Sequence, residues 1–295
     1  MRIPRLRNSI AAVLAVAVVA AGATTGVALG SRTGTSPIEQ AATKSGKAST
    51  FKFDFTLSIS SAGSSIPGGK ITLSGSGAAN TPHKLAAVKL DLGSIAPLLG
   101  SATQGATVPK SISLVVVGNT VYLNFPALAK QAGAPGKQWV KFDLTKLPKS
   151  KTGGVDPKAV GSVSPQQALG ALRSALKVHK VGSDSHGTHY HATLDLSGLV
   201  AVLPKGQQAS SSASLAKAGI KSVPLDVWVG PSGYVTRFVT SLNVKAQKSS
   251  PAVSVTLTLN IHDYNHKVGI TAPPAGQTAD GNKLLSGLLG SLPGG

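Results

Sequence analysis

A chain of 295 residues, 41% of them apolar and 13% charged, carries enough greasy surface for a sizeable core, which excludes a protein disordered throughout. Its 29 Lys and Arg against 10 Asp and Glu give a net charge of +19 and point to a partner of negative charge. The lack of any cysteine excludes disulfides, thiolate metal sites and cysteine nucleophiles, and leaves the compartment open.

In chain order, Arg2, Arg5 and Arg7 precede an apolar run over 10–23 and a looser tail to Gly30, the pattern of an export signal. Ala21 and Ala23, or Ala28 and Gly30, suit a signal peptidase. The run to Gly30 also approaches the roughly 20 residues that span a bilayer, so cleaved and anchored forms both stay open. Either way the arginines hold the N-terminus in the cytoplasm and send the rest outside. Without residues 1–30 the chain keeps 26 basic and 10 acidic residues, so a charge of +16 belongs to the exported part. Scarce aromatics, at 4%, with abundant Ser, Thr, Gly and Ala fit an exported β protein.

Residues 31–50 are polar and read as a linker with one helical turn around 38–42. Then Phe51, Phe53, Phe55, Leu57 and Ile59 alternate with Lys52, Asp54, Thr56 and Ser58, a period of two that predicts a half-buried strand. Strands follow over 71–76 and 85–92, the second with Val88, Leu90 and Leu92 on one side. Residues 95–108 read as a loop with a short helix. Gly118-Asn119 joins the runs 112–117 and 120–125 in a tight hairpin, and 139–144 is a further strand. After a connection rich in Pro, Gly and Lys over 148–161, Ser164-Pro165-Gln166-Gln167 supplies an N-cap, a proline at the first helical position and a capping-box glutamine. The predicted helix presents Leu169, Leu172 and Leu176 as one stripe. A hairpin over 178–184 and 188–196 follows, then a short helix over 198–203 capped by Ser197 and stopped by Pro204.

The cleanest periodicity lies in a three-strand meander over 223–229, 234–244 and 253–261, whose first turn is Gly230-Pro231-Ser232-Gly233. In its last strand Val253, Val255, Leu257, Leu259 and Ile261 alternate with polar residues, which gives one greasy and one wet face. Residues 281–295 read as a disordered tail. The sum is an α+β fold: one domain over 51–280, a curved antiparallel sheet, or half-barrel, of about ten strands. One main helix and short helical segments near Leu98 and Leu199 cover its concave face.

Several stretches together carry a resemblance. They are Gly118-Asn119-Thr120-Val121-Tyr122-Leu123, then Gly136-Lys137-Gln138-Trp139-Val140-Lys141-Phe142-Asp143. Val181-Gly182 through Gly187-Thr188-His189-Tyr190 follows, and Pro224-Leu225-Asp226-Val227-Trp228-Val229, with Ala272-Pro273-Pro274 near the end. In this order they resemble the actinobacterial LppX/LprG-type lipoprotein family, whose fold is similar to the lipoprotein carriers LolA and LolB. The resemblance implies a half-barrel with an apolar cavity for acylated lipids or glycolipids. Lining it would be Phe53, Phe55 and Leu57, then Val88 and Leu90, then Leu114 and Val116. Leu169, Leu172 and Leu176 would face them from the helix, and Val255, Leu257 and Leu259 from the last strand. One departure stands out: Ala28-Leu29-Gly30-Ser31 has serine where the family carries its lipidated cysteine, so anchoring by that route is impossible.

His189 and His191, two apart on a strand, point to one side and suit zinc, with His186 nearby. Apart from Asp184 no local acid or cysteine completes a ligand set, so no metal and no cofactor is expected. Gly-x-Ser-x-Gly is absent and the aspartates lie singly on polar strand phases, which argues against a hydrolase and against an enzyme generally. The lysines are scattered without an aromatic interleave, which argues against nucleic acid and for an anionic membrane surface or wall polymer. Two functions follow: a monomeric, exported carrier of acyl lipids at the outer face of the membrane or in the cell envelope, or a filled-core envelope scaffold or adhesive module. On either, a reporter active only in the cytoplasm and fused after Asp280 is expected to be silent; activity there would overturn the export reading.

Overall fold

The computed structural model describes residues 36–61, 69–94, 109–146, 172, 176–195, 200, 208–209, 212–213, 215–216, 219–244 and 252–282. Twelve strands form one sheet, in the order β12-β6-β5-β4-β3-β2-β1-β11-β10-β9-β8-β7, with β12 and β7 as its two terminal strands. The structure is therefore a large, open, mostly-strand sheet with few helices. The sheet has twelve strands where about ten were expected; among them β12 (Thr278–Asp280) is a three-residue strand too short to leave a periodic signal. The chain divides into two compact units, each discontinuous in sequence.

The first unit holds residues 1–47, 57–70 and 162–260. Its sheet comprises β7 (Leu176–Asp184), β8 (Gly187–Asp195), β9 (Ser222–Val229), β10 (Val235–Val244) and most of β11 (Val253–His262). Burial in β11 alternates without a slip from Val255 to Ile261, as the sequence predicts, because one face of the strand is packed and the other wet. Where the sequence suggests a linker with one helical turn around 38–42, the described residues form a longer helix, α1 (Pro37–Gly46). Ser36 caps it by accepting a hydrogen bond from the Glu39 N–H at 3.1 Å, Pro37 opens the first turn, and Glu39 and Lys44 complement the helix dipole. Ile38, Ala41, Ala42 and Ser45 are buried as α1 packs on β9 and β10, and the Val235 N–H donates to the buried Ser45 Oγ. The buried residues of those strands are Val223, Leu225, Val227, Val235 and Phe238, so the helix lies on their apolar face.

The second unit holds residues 48–56, 71–161 and 261–295. It contains the start of β1 (Thr50–Ser61), then β2 (Lys70–Asn80), β3 (Leu85–Asp91), β4 (Ser111–Val117), β5 (Thr120–Asn124), α2 (Pro126–Gln131), β6 (Trp139–Asp143) and β12, which runs parallel to β6. The two-residue turn at Gly118-Asn119 pairs Val117 with Thr120, with Gly118 at φ +59° as such a turn requires. Register places Val88 and Leu90 of β3 opposite Gly77 and Gly75 on one side and Leu114 and Ile112 on the other, which defines an apolar face. Gly77 lies beneath the Phe53 ring and Gly75 beneath the Phe55 ring, so both rings belong to that face. The opposite face carries Ser74, Ser76, Lys89, Asp91, Ser111 and Ser113.

The helix predicted from Ser164, the short helices near Leu98 and Leu199, the leader over 1–30 and the tail from 283 lie outside the described residues. Leu172 is helical and buried. Leu176 departs from the expected stripe: it opens β7 and pairs with Thr193. Pairing with β8, a tertiary contact that spacing within the segment does not encode, overrides the helical pattern here.

A Cβ at Gly77 would stand 2.5 Å from Phe53 and 2.6 Å from the Ala87 carbonyl, and at Gly75 2.7 Å from Phe55 and 2.6 Å from the Lys89 carbonyl. Because one obstacle at each is backbone, rotamer change cannot relieve it. Gly77→Ala and Gly75→Ala are each expected to destabilise the fold by about 1–3 kcal/mol in denaturant titrations.

Candidate functional site

The residues expected to line an apolar site fall into two sets. In the second unit Phe53, Phe55, Val88, Leu90, Leu114 and Val116 share the apolar face. Burial along this face is graded. Val116, with Val121 and Leu144, forms a buried cluster, and Ala129, Val140 and Ala279 form another under α2. Val88, Leu90, Ile112 and Leu114 are only half-buried. The phenylalanines do not project into free space, because their rings close over the two glycines of β2.

In the first unit Leu57, Val255, Leu257 and Leu259 are buried at 3–8% exposure, and the β11 residues continue on β10 as Leu242, Thr240 and Phe238. Leu172 is 2% exposed, and Leu169 lies outside the described residues. Leu176 stands on the wrong face for such a site. It shares a rung with Thr193 and Pro224, two residues on from His191 and Asp226 on the polar face.

That polar face holds a dense cluster of titratable and aromatic side chains, and sequence reasoning found only half of it. Antiparallel register sets His189 against Trp228 and His191 against Asp226. Asp226 Oδ1 accepts from His189 Nε2 at 2.8 Å and from His191 Nδ1 at 3.1 Å, so one carboxylate oxygen serves both rings. The His189 ring stacks on Trp228 with centroids 4.1 Å apart and planes 3° from parallel. On β10, the Arg237 guanidinium lies 5.3 Å from the centroid of the same indole, a cation–π contact. Its Nη1 donates to His186 Nε2 at 3.3 Å, which requires that nitrogen to be unprotonated. Asp184 completes the group, accepting from the Trp228 indole at 2.7 Å and from the His186 backbone N–H at 2.7 Å.

Apart from the buried Arg237 Nε, which has no hydrogen-bond partner among the described residues, the network satisfies itself. Among the described residues no three His, Cys, Asp or Glu are arranged to hold a metal ion. The histidines that suggested zinc in the sequence spend their nitrogens on Asp226 and on Arg237. Its chemistry is that of a structural clasp across β8, β9 and β10, worth most where its members are half-buried. Gly187, at φ +123° with the Val229 carbonyl where a Cβ would go, lets the β7–β8 turn approach β9 closely enough for Asp184 to reach Trp228.

No family model matches the chain, and no curated protein matches it. Among solved structures it is similar to a DUF1329 family protein from Desulfovibrio piger at 8% identity and a TM-score of 0.27, over 79% of this chain and 92% of that one.

The hydrogen bond from the His186 backbone, then that from the Trp228 indole, hold the Asp184 carboxyl below the usual carboxylate range. A depressed carboxyl contributes stability above its unfolded-state value, and that contribution is lost as pH falls through the lower folded value. In a Trp139→Phe background, Trp228 fluorescence is expected to change on acidification below about pH 4. Asp184→Asn is expected to remove that acid limb, and an unaltered limb would show that another group controls it.

Proposed function

We propose that the protein is an exported cell-envelope protein that binds acylated lipids or glycolipids on its apolar sheet face, in the manner of the LppX/LprG-type lipoproteins it resembles. The observation that supports this reading is the graded burial in the second unit. Four adjacent branched side chains, Val88, Leu90, Ile112 and Leu114, lie side by side on one face and are left half-buried, beside clusters that are fully packed. Apolar surface left in this state gains roughly 0.8 kcal/mol for each methylene it takes from water, so an acyl chain is a matched occupant. The basic balance of the chain suits approach to anionic lipid headgroups or wall polymers outside the membrane. A carrier on this reading needs no cofactor, performs no catalysis and binds no nucleic acid.

A second reading, a filled-core envelope scaffold or adhesive module, is favoured by one observation: Phe53 and Phe55 fill the space over Gly77 and Gly75 themselves.

Native mass spectrometry of protein purified from its own host is expected to show bound acyl lipid. Leu114→Trp is expected to reduce lipid occupancy severalfold while shifting thermal stability little, because it takes up space an acyl chain would use. In a filled core the same change overpacks and costs about 1–3 kcal/mol. A destabilised variant, together with a parent protein that never yields acyl lipid, would overturn the carrier reading in favour of the scaffold.

A further inference from the structure

We propose that the polar face of the second unit is a separate binding site that takes an extended segment of an acidic glycan, one whose sugars carry carboxylate or phosphate groups. Two concavities lie on it, of about 780 and 470 Å³, and they share Asp54, Ser76 and Lys89. Joined at those residues they make one trough from β1 to Trp139 on β6. Five strand spacings of about 4.8 Å give it a length of roughly 24 Å. A trough of that length, open to solvent, fits a chain better than a compact molecule.

The lining narrows the chemistry. Ser74 and Ser76 on β2 and Ser111 and Ser113 on β4 give a low floor of hydroxyls, each able to donate and to accept. Asp54 and Asp91 add acceptors, which suit the many donors of a sugar. Trp139 at one end supplies the flat apolar surface on which a sugar ring lies. Lys89 and Lys110 are exposed and, among the described residues, have no carboxylate within ion-pair distance, whereas Lys52 is held by Asp263 at 2.9 Å. Two unpaired ammonium groups above a hydroxyl floor are complementary to acidic groups spaced along a glycan.

Other chains fit less well. Nucleic acid would meet a single aromatic where successive bases need several. A peptide strand would need a free sheet edge or apolar side-chain pockets, and the trough offers hydroxyls. The lysines, aspartates and serines of the site stand on the opposite strand phase from the acyl-binding side chains, although Phe53, Phe55, Val88 and Leu114 also border the concavities.

The test is calorimetric titration of the full exported chain with polygalacturonate oligomers, with dextran oligomers of equal length and single-stranded DNA as comparisons. Polygalacturonate is expected to bind more tightly than either. The double variant Lys89→Ala with Lys110→Ala is expected to weaken it about tenfold or more. The exposed pair Lys130→Ala with Lys180→Ala, away from the trough, removes the same charge and is expected to leave affinity within about twofold. Trp139→Phe is expected to retain part of the affinity that Trp139→Ala loses, with circular dichroism verifying the fold of each. Equal losses in the two lysine pairs would reduce the effect to general charge and overturn the site, as would tighter binding of DNA or no binding of polygalacturonate by the parent. Removal of bound lipid before titration leaves the expected result unchanged, so failure here and failure of the carrier reading are told apart.

Discussion

The close approach of Phe53 and Phe55 to the glycines of β2 is the constraint on which the second unit depends. With rings where Cβ atoms would stand at Gly77 and Gly75, and with the Ala87 and Lys89 carbonyls equally near, β2 cannot carry side chains at these two positions of its apolar face. Aromatic surface from one strand thereby covers the backbone of the next, which offsets the weakness that glycine brings to a strand. The alternation Ser74-Gly75-Ser76-Gly77 then has a use on both sides. Glycines accept the rings on one face, and serines keep the floor low on the other. One short stretch of small residues sets the depth of the polar trough and the packing of the apolar core together.

Much of this was legible before any coordinates. A strict period of two identifies β1 and β11 because a half-buried strand has no other way to meet both water and core, and the Gly118-Asn119 turn follows from the φ that two-residue hairpins need. What stayed hidden was of two kinds. Some signals were present but outweighed: Ser36-Pro37 followed by Glu39 is a helix start, yet the polar composition of 31–50 masked a helix whose buried side is mostly alanine and serine. Other features leave no local signal. The pairing of His189 and His191 with Trp228 and Asp226 needs the register between β8 and β9, which are separated by a long connection, and no spacing within either strand encodes it. Leu176 shows the converse error, where helical spacing extended one residue too far into a strand.

The clasp on the first unit illustrates how a polar face can be as ordered as a core. Asp226 and Asp184 each take two donors, and Trp228 is held between a histidine and a guanidinium. Such a ladder sets the lateral alignment of β8, β9 and β10 from the wet side while α1 holds β9 and β10 from the dry side. Next to it, the terminal strand β7 carries two bulges, a left-handed Lys177 and the exposed charge of Lys180, features that keep an outer strand from recruiting a foreign one even though Val181 is bare.

The strand order has a consequence for how the chain comes to be folded. β1 lies between β2, which follows it almost at once, and β11, which the chain supplies only after everything from Ser61 to Val253 has been made. Pairing with β2 is a local event. Pairing with β11 must wait, and its loop-closure entropy makes it slow. In the interval the phenylalanine-rich strand has one side of its backbone open to any neighbour, so a chain emerging from its N-terminus meets its greatest risk of misassembly midway, when β1 has been made and β11 has not. Yield from the cell would then depend less on the final stability of the sheet than on how quickly the last third of the chain arrives.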